Sequence, residues 1–169
     1  VKELEYPEDD YYLYPKNLEE AHDRISREYL DKKSEIKQRK REKQQREYEH
    51  NYLPALEKYA YEDSEYLIRP LRDFKDFENE GRNNKNCVAS YYTRASKGKT
   101  AVFVMRRINE PNTSFVTIEV RSDHNDHRVS QCFGTGNRMP AQEVRKWVNE
   151  WLENIVEPRS KKRSRKGAA

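Results

Sequence analysis

The chain is short of apolar residues, of cysteine and of glycine. Of its 169 residues only 34% are hydrophobic, against the ~45–50% usual in globular domains. A core cannot take in the whole chain, so part of it is expected as exposed helix or disordered tail. No apolar run approaches the ~18 residues a membrane helix needs, and no membrane partner is expected. Val1–Tyr14 is acidic and polar, unlike a secretory leader. The first residue is Val1 rather than Met, as expected of a piece of a longer protein. Two cysteines, Cys87 and Cys132, make no disulfide framework. Each sits in an otherwise apolar segment and is expected as a small buried hydrophobe, kept reduced in a cytoplasmic setting. There is no Gly-rich phosphate loop and no G-x-S-x-G elbow. No spacing matches a metal site, so no metal and no cofactor are expected. His124 and His127 read as exposed turn residues rather than ligands.

What is present is charge, unevenly spread. The net charge is +4, but the stretch to about Asp31 is acid-rich and two later segments are strongly basic. Such asymmetry points to a charged partner more than the total does.

Asn17 is a good N-cap and Glu20 follows at capping-box spacing. Leu18, Ala21, Ile25, Tyr29 and Ile36 then recur at helical intervals. After Ile36 the apolar stripe stops. Lys37–Glu47 consists of good helix formers with many bases and few acids. One long helix is expected, its middle exposed. Tyr48, Tyr52, Leu53 and Leu56 resume the stripe, and Pro54 marks a kink or a new helix start. Beyond Glu65 the pattern changes. Tyr66–Ile68 is a short strand candidate closed by Pro70, Asp73–Glu80 a helix stopped by Gly81, and Asn86–Ala95 a further helix. Thr100–Arg106, Ser114–Val120 and His127–Phe133 read as strands. Their short polar links imply an antiparallel meander. Pro140 opens an amphipathic helix carrying Val144, Trp147, Val148, Trp151, Leu152 and Ile155, expected to pack on one face of the sheet. The fold class is therefore α+β: a long N-terminal helical segment, then a small antiparallel sheet of about three strands, with room for a fourth, packed by helices. The expected divisions are 1–62 for the helical segment, 63–157 for the α+β domain and 158–169 for a disordered basic tail.

The ordered series Tyr66–Pro70, Glu80-Gly81, Asn86–Tyr91, Val104–Arg106, Thr117–Val120 and Gln131–Gly134 with Asn137 resembles the carboxy-terminal region of PcfJ-like proteins. Tyr14–Asp23 is similar to a segment of the same family. The resemblance covers most of the chain except the basic tail. It implies an α+β fold and a setting on conjugative plasmids, mobile elements or phages. It does not imply a reaction. Family members typically carry a His before the Cys-Val pair, where this chain has Asn86, so any chemistry resting on that His would be impaired here.

Two sets of residues are candidates for function. Lys37, Arg39, Lys40, Arg41, Lys43 and Arg46 on the helix, with Arg159, Lys161, Lys162, Arg163, Arg165 and Lys166 in the tail, suit a phosphate backbone, whose condensed counterions Lys and Arg displace. A solvated helix held by Glu–Lys pairs is the plainer account of the first group. Asn86, Cys87, Arg106, Glu119, Gln131 and Asn137 form a candidate polar pocket, readable either as a site or as a satisfied hydrogen-bond network. Cys87 has no neighbouring base and is not expected to be a nucleophile. Tyr48, Tyr52, Tyr59 and Tyr61 suit packing on the helix or stacking on bases. The reading that follows is a non-enzymatic accessory protein of a mobile element or phage, binding nucleic acid (DNA or RNA) or a nucleoprotein complex through basic helix and tail. An enzyme acting on nucleic acid or nucleotide around Arg106, Glu119 and Gln131, and a protein–protein adaptor using the long helix, are the alternatives. The oligomeric state is open.

Overall fold

A computed structural model describes residues 17–123 and 126–160. The first element is helix α1, Leu18–Asn51. Asn17 caps it, its side-chain oxygen accepting from the backbone N–H groups of Glu19 at 3.1 Å and Glu20 at 3.3 Å, which satisfies donors that a helix start leaves unpaired. The chain divides into two compact units at Lys43/Gln44, within α1. In the first unit Ala21 is buried and Ile25 half-buried, whereas Leu18, Tyr29 and Ile36 of the same stripe are exposed.

The second unit begins with the last turns of α1. Helix α2, Leu53–Glu57, starts anew with Pro54 in its first turn, where a missing N–H costs nothing. Five strands follow: β1 (Tyr61–Glu62), β2 (Tyr66–Pro70), β3 (Ala101–Arg107), β4 (Val116–Asp123) and β5 (Asp126–Phe133). They lie in the order β1-β2-β3-β4-β5, every neighbouring pair antiparallel. The meander thus has two strands more than the three read most clearly from the sequence. Between β2 and β3 lie helix α3 (Phe74–Asn83), a 3₁₀ turn (Val88–Tyr91) and the short helix α4 (Tyr92–Ala95). Asp73 caps α3 by accepting from the Asp76 N–H at 2.7 Å. Gly81 does not stop α3. It lies inside the helix, where a Cβ would come within 3.2 Å of the Asn86 carbonyl oxygen, so it serves the close approach of the next segment. The helix expected over Asn86–Ala95 starts later and tighter, as the 3₁₀ turn. Helix α5, Gln142–Trp151, continues as a π turn, Leu152–Val156, and helical backbone runs on to Ser160.

Alternation along the strands makes two cores. On one face Ile68, Phe103, Met105, Ile118 and Val120 meet Val144, Val148, Trp151 and Val156, which is the predicted packing of the C-terminal helix. The Trp151 ring stands edge-on to Phe103 at 5.0 Å, and its indole N–H donates to the Tyr59 carbonyl at 2.9 Å. On the other face Val102 and Val104 lie under Tyr48, Leu71, Phe77 and Tyr92. The Tyr48 hydroxyl donates to the Leu71 carbonyl at 2.7 Å, and burial pushes its pKa upward. Tyr48, Tyr92 and Phe103 are therefore core residues. Among the described residues no helix is long and apolar enough to cross a membrane.

Candidate functional site

Lys33–Lys43 is exposed at every position, so packing explains none of its side chains. Among the described residues Lys37, Arg39 and Lys40 have no ion pair, and neither does Arg46, which is exposed on the other side of the unit boundary. Gln38 donates to Glu42 at 3.0 Å one turn on, so one of the few acids in the segment is engaged by a neutral partner. Arg159, placed by sequence in a free tail, is instead held at a helical end. Its guanidinium donates to the carbonyls of Lys58 and Ala60. Lys161, Lys162, Arg163, Arg165 and Lys166 lie outside the described residues, as does His124. His127 is not a turn residue. It lies half-buried on β5 with its Nδ1 2.6 Å from the Ser122 hydroxyl.

Five of the six candidate pocket residues come together. Asn86, Cys87, Glu119, Gln131 and Asn137 line one small cleft of about 30 Å³, together with Tyr91, Thr117, Val88, Val102 and Phe133. Its residues come from the 3₁₀ segment, from β3, β4 and β5, and from the Gly134–Arg138 loop. Strand geometry explains the convergence. Glu119 pairs with Gln131, but Val120 pairs with Val129, so Ser130 is an extra residue on β5. Such a bulge re-aims side chains locally, and Ser130 joins Gln131 in facing Glu119, to which it hydrogen-bonds.

Arg106 does not line the cleft. It is buried behind it, its guanidinium on both Glu80 oxygens and on the Met105 carbonyl at 3.1 Å. Glu80 also accepts from the Thr117 hydroxyl at 2.8 Å and from Ser114 at 2.8 Å. Thr117 in turn accepts from Asn84 at 2.9 Å and from Asn86 at 3.2 Å, and Asn86 accepts from the Val88 N–H at 3.1 Å. An unbroken relay of hydrogen bonds thus runs from Arg106 to the cleft wall. Thr135 donates to the Asn84 side chain at 2.9 Å, and the Gly136 N–H donates to the Asn84 carbonyl at 2.8 Å. These two bonds fix the loop that carries Asn137.

Burial pushes the Glu119 carboxyl up, but the Thr100 hydroxyl and the Arg121 guanidinium more than offset it and hold the group below its ordinary pKa. Thr100 donates at 2.7 Å and Arg121 at 3.1 and 3.3 Å, while Arg94 stands at 3.6 Å. A carboxylate so occupied stays ionised and makes a poor proton carrier. Tyr91 donates to the Gln131 oxygen at 3.1 Å, leaving the Gln131 amide N–H groups as donors. Cys87 is exposed rather than buried. No histidine lines the cleft among the described residues, so the thiol has no base beside it. Cys132 is half-buried in the opposite core, and burial pushes its thiol up to about 11. This chemistry suits recognition by hydrogen bonds better than proton transfer. Thr117, Tyr91 and Ser130 were missed in sequence. Thr117 shares the strand face of Glu119 two residues on, and Tyr91 lies one turn from Cys87, but Ser130 had no signal because a bulge breaks the alternation that would place it. Among the described residues no group of three or more His, Cys, Asp and Glu is placed to hold a metal ion.

A family model described as PcfJ-like protein matches residues 2–149. No curated protein and no solved structure matches the chain.

Proposed function

We propose that this chain, which belongs to the PcfJ-like family, is a non-enzymatic accessory protein of a mobile element or phage that works in the cytoplasm by binding nucleic acid, or a nucleoprotein complex, through its basic helix and basic tail. The observation that carries the reading is the run Lys33–Lys43, exposed at every position and rich in Lys and Arg. Neither a core nor a set of ion pairs accounts for Lys37, Arg39 and Lys40. Phosphate neutralisation by such a helix is sequence-independent and salt-sensitive. No base-reading motif such as a zinc finger is present to add specificity.

Fluorescence anisotropy against duplex and single-stranded DNA and RNA tests this at several salt concentrations. Affinity should fall steeply with salt, with a log–log slope of about −0.9 per phosphate engaged on duplex DNA, and lie roughly at 10⁻⁴–10⁻⁶ M at physiological salt. Replacing Arg39, Lys40, Arg41 and Lys43 by Glu should weaken binding and flatten the slope with stability nearly unchanged. Absence of binding even at low salt would transfer the helix to the adaptor reading.

A second reading is favoured by the convergence of Asn86, Cys87, Glu119, Gln131 and Asn137 on one cleft. It is an enzyme acting on nucleic acid or nucleotide there. Turnover of either that is lost in Glu119→Gln would establish it over the first.

A further inference from the structure

A second and larger cavity lies on the opposite face of the sheet from the cleft, and neither the family nor the basic helix accounts for it. It measures about 270 Å³, at the lower edge of the ~300–1,000 Å³ of small-molecule sites. Its walls are apolar and aromatic: the rings of Tyr52, Tyr59 and Phe103, with Leu56 and Val156. The wall at Tyr52 is built to close tolerance. That ring rests against Gly98, where a Cβ would fall 2.3 Å from Tyr52 Cε1 and where φ is +67°, so only glycine lets the ring sit there. The polar groups are few. Lys99 and Asn51 are exposed, and the Ser122–His127 pair lines the cavity with the His127 ring 6.0 Å from Tyr59. No Asp or Glu is among the lining residues, and Lys99 is the one lysine or arginine.

We propose that this cavity binds a small aromatic anion of nucleotide size, its planar ring between the aromatic walls and its anionic group at Lys99. Stacking on aromatic side chains tolerates any base, because each has a π-face. The lone lysine and the absence of carboxylates select anion over cation. The site goes beyond the basic-helix reading, since it engages one nucleotide rather than a backbone. A nucleoside phosphate fits the description whether it is free or is an unpaired nucleotide of a strand.

Isothermal titration calorimetry on the whole chain tests the proposal with AMP, UMP, adenosine and inorganic phosphate. AMP and UMP should bind one to one, with adenosine and phosphate each at least tenfold weaker. Ala55→Phe, which fills the cavity, should abolish binding. Lys99→Glu, on an exposed loop, should weaken it at least tenfold with unfolding behaviour unchanged. No saturation by millimolar AMP, adenosine binding as well as AMP, or unaltered AMP binding in both variants would each overturn the proposal. The helix variant with Arg39, Lys40, Arg41 and Lys43 replaced by Glu should keep AMP binding. Loss there would put the phosphate on the helix and remove the cavity from consideration. Loss of polymer binding in that variant with AMP binding intact supports the cavity independently of the helix. A single-stranded oligonucleotide that displaces AMP identifies a strand nucleotide as the ligand, and failure to displace identifies the free one. Both results support the site.

Discussion

Arg106 and Glu80 are each more than nine-tenths buried and bonded to one another, and Glu80 accepts from three further donors, Asn84, Ser114 and Thr117. Removing one partner of a buried pair strands the other charge, which costs about 3–5 kcal/mol, whereas replacing both costs much less. Arg106→Met should therefore lower the unfolding free energy by about that amount, and Arg106→Met with Glu80→Leu should recover much of it. A double-variant loss in urea titrations equal to the sum of the Arg106→Met and Glu80→Leu losses would show that the pair carries no coupling. The two cysteines separate equally clearly. Cys87 is exposed, while the Cys132 thiol is half-buried and raised to about 11. The thiolate is the species that reacts, so iodoacetamide at pH 8 should label Cys87 first and leave Cys132 largely intact, as followed by peptide mass spectrometry. Preferential labelling of Cys132 would contradict the burial. Sequence placed both cysteines inside because each has apolar neighbours. It could not tell that the chain around Cys87 turns as a 3₁₀ segment along the rim of a cleft.

At the scale of elements, what was legible followed from periodicity. The long helix, the restart at Pro54, three of the strands and the closing amphipathic helix each carry a pattern of several residues, and the structure has all of them. Strand β1 is two residues long, too short to alternate, and it exists because β2 offers it an edge. Gly81 looked like a helix stop because glycine usually is one, but here its missing side chain admits the Asn86 carbonyl. The packing of the closing helix is open to test. Trp151 is 2% exposed and meets Phe103 and the Tyr59 carbonyl. Trp151→Ala should cost about 3–5 kcal/mol, as large-to-small core changes do. A loss well under 1 kcal/mol in chemical denaturation would mean that the sheet does not depend on that helix.

For the molecule as a whole, ionised carboxylates tie the elements of the sheet-containing unit together, which makes its stability a function of pH. Burial pushes Asp76 up, but the two-pronged Arg69 contact at 2.6 and 3.1 Å more than offsets it, and its pKa is lowered. In Asp63 burial is likewise outweighed, by the Tyr66 and Glu65 N–H groups and the Trp147 indole. Glu119 is lowered as well. Each native pKa lies below its unfolded value, so the unfolded chain takes up protons first as pH falls. The stability these groups confer is complete above the ordinary carboxylate range and drains away as pH drops through the native values. The urea midpoint should be flat from pH 7 to about 5 and fall below about pH 4. Asp76→Asn with Glu119→Gln should lower the plateau and flatten the descent. A wild-type midpoint as high at pH 3 as at pH 6 would refute this account. The site itself was half legible. Five of its six forecast residues share the cleft, since strand order and face follow from alternation, but Arg106 turned inward because its partner Glu80 sits on a helix whose placement no local pattern gives. Ser130 carries the remaining lesson, which concerns chain length. Being the surplus residue of the β5 bulge, it could be cut out with the pairs Glu119–Gln131 and Val120–Val129 still in register and every neighbour still on its own face. Position 130 is thus a place where this domain tolerates loss of a residue, and the toll falls on Glu119, which would keep its charge partners and lose one hydroxyl.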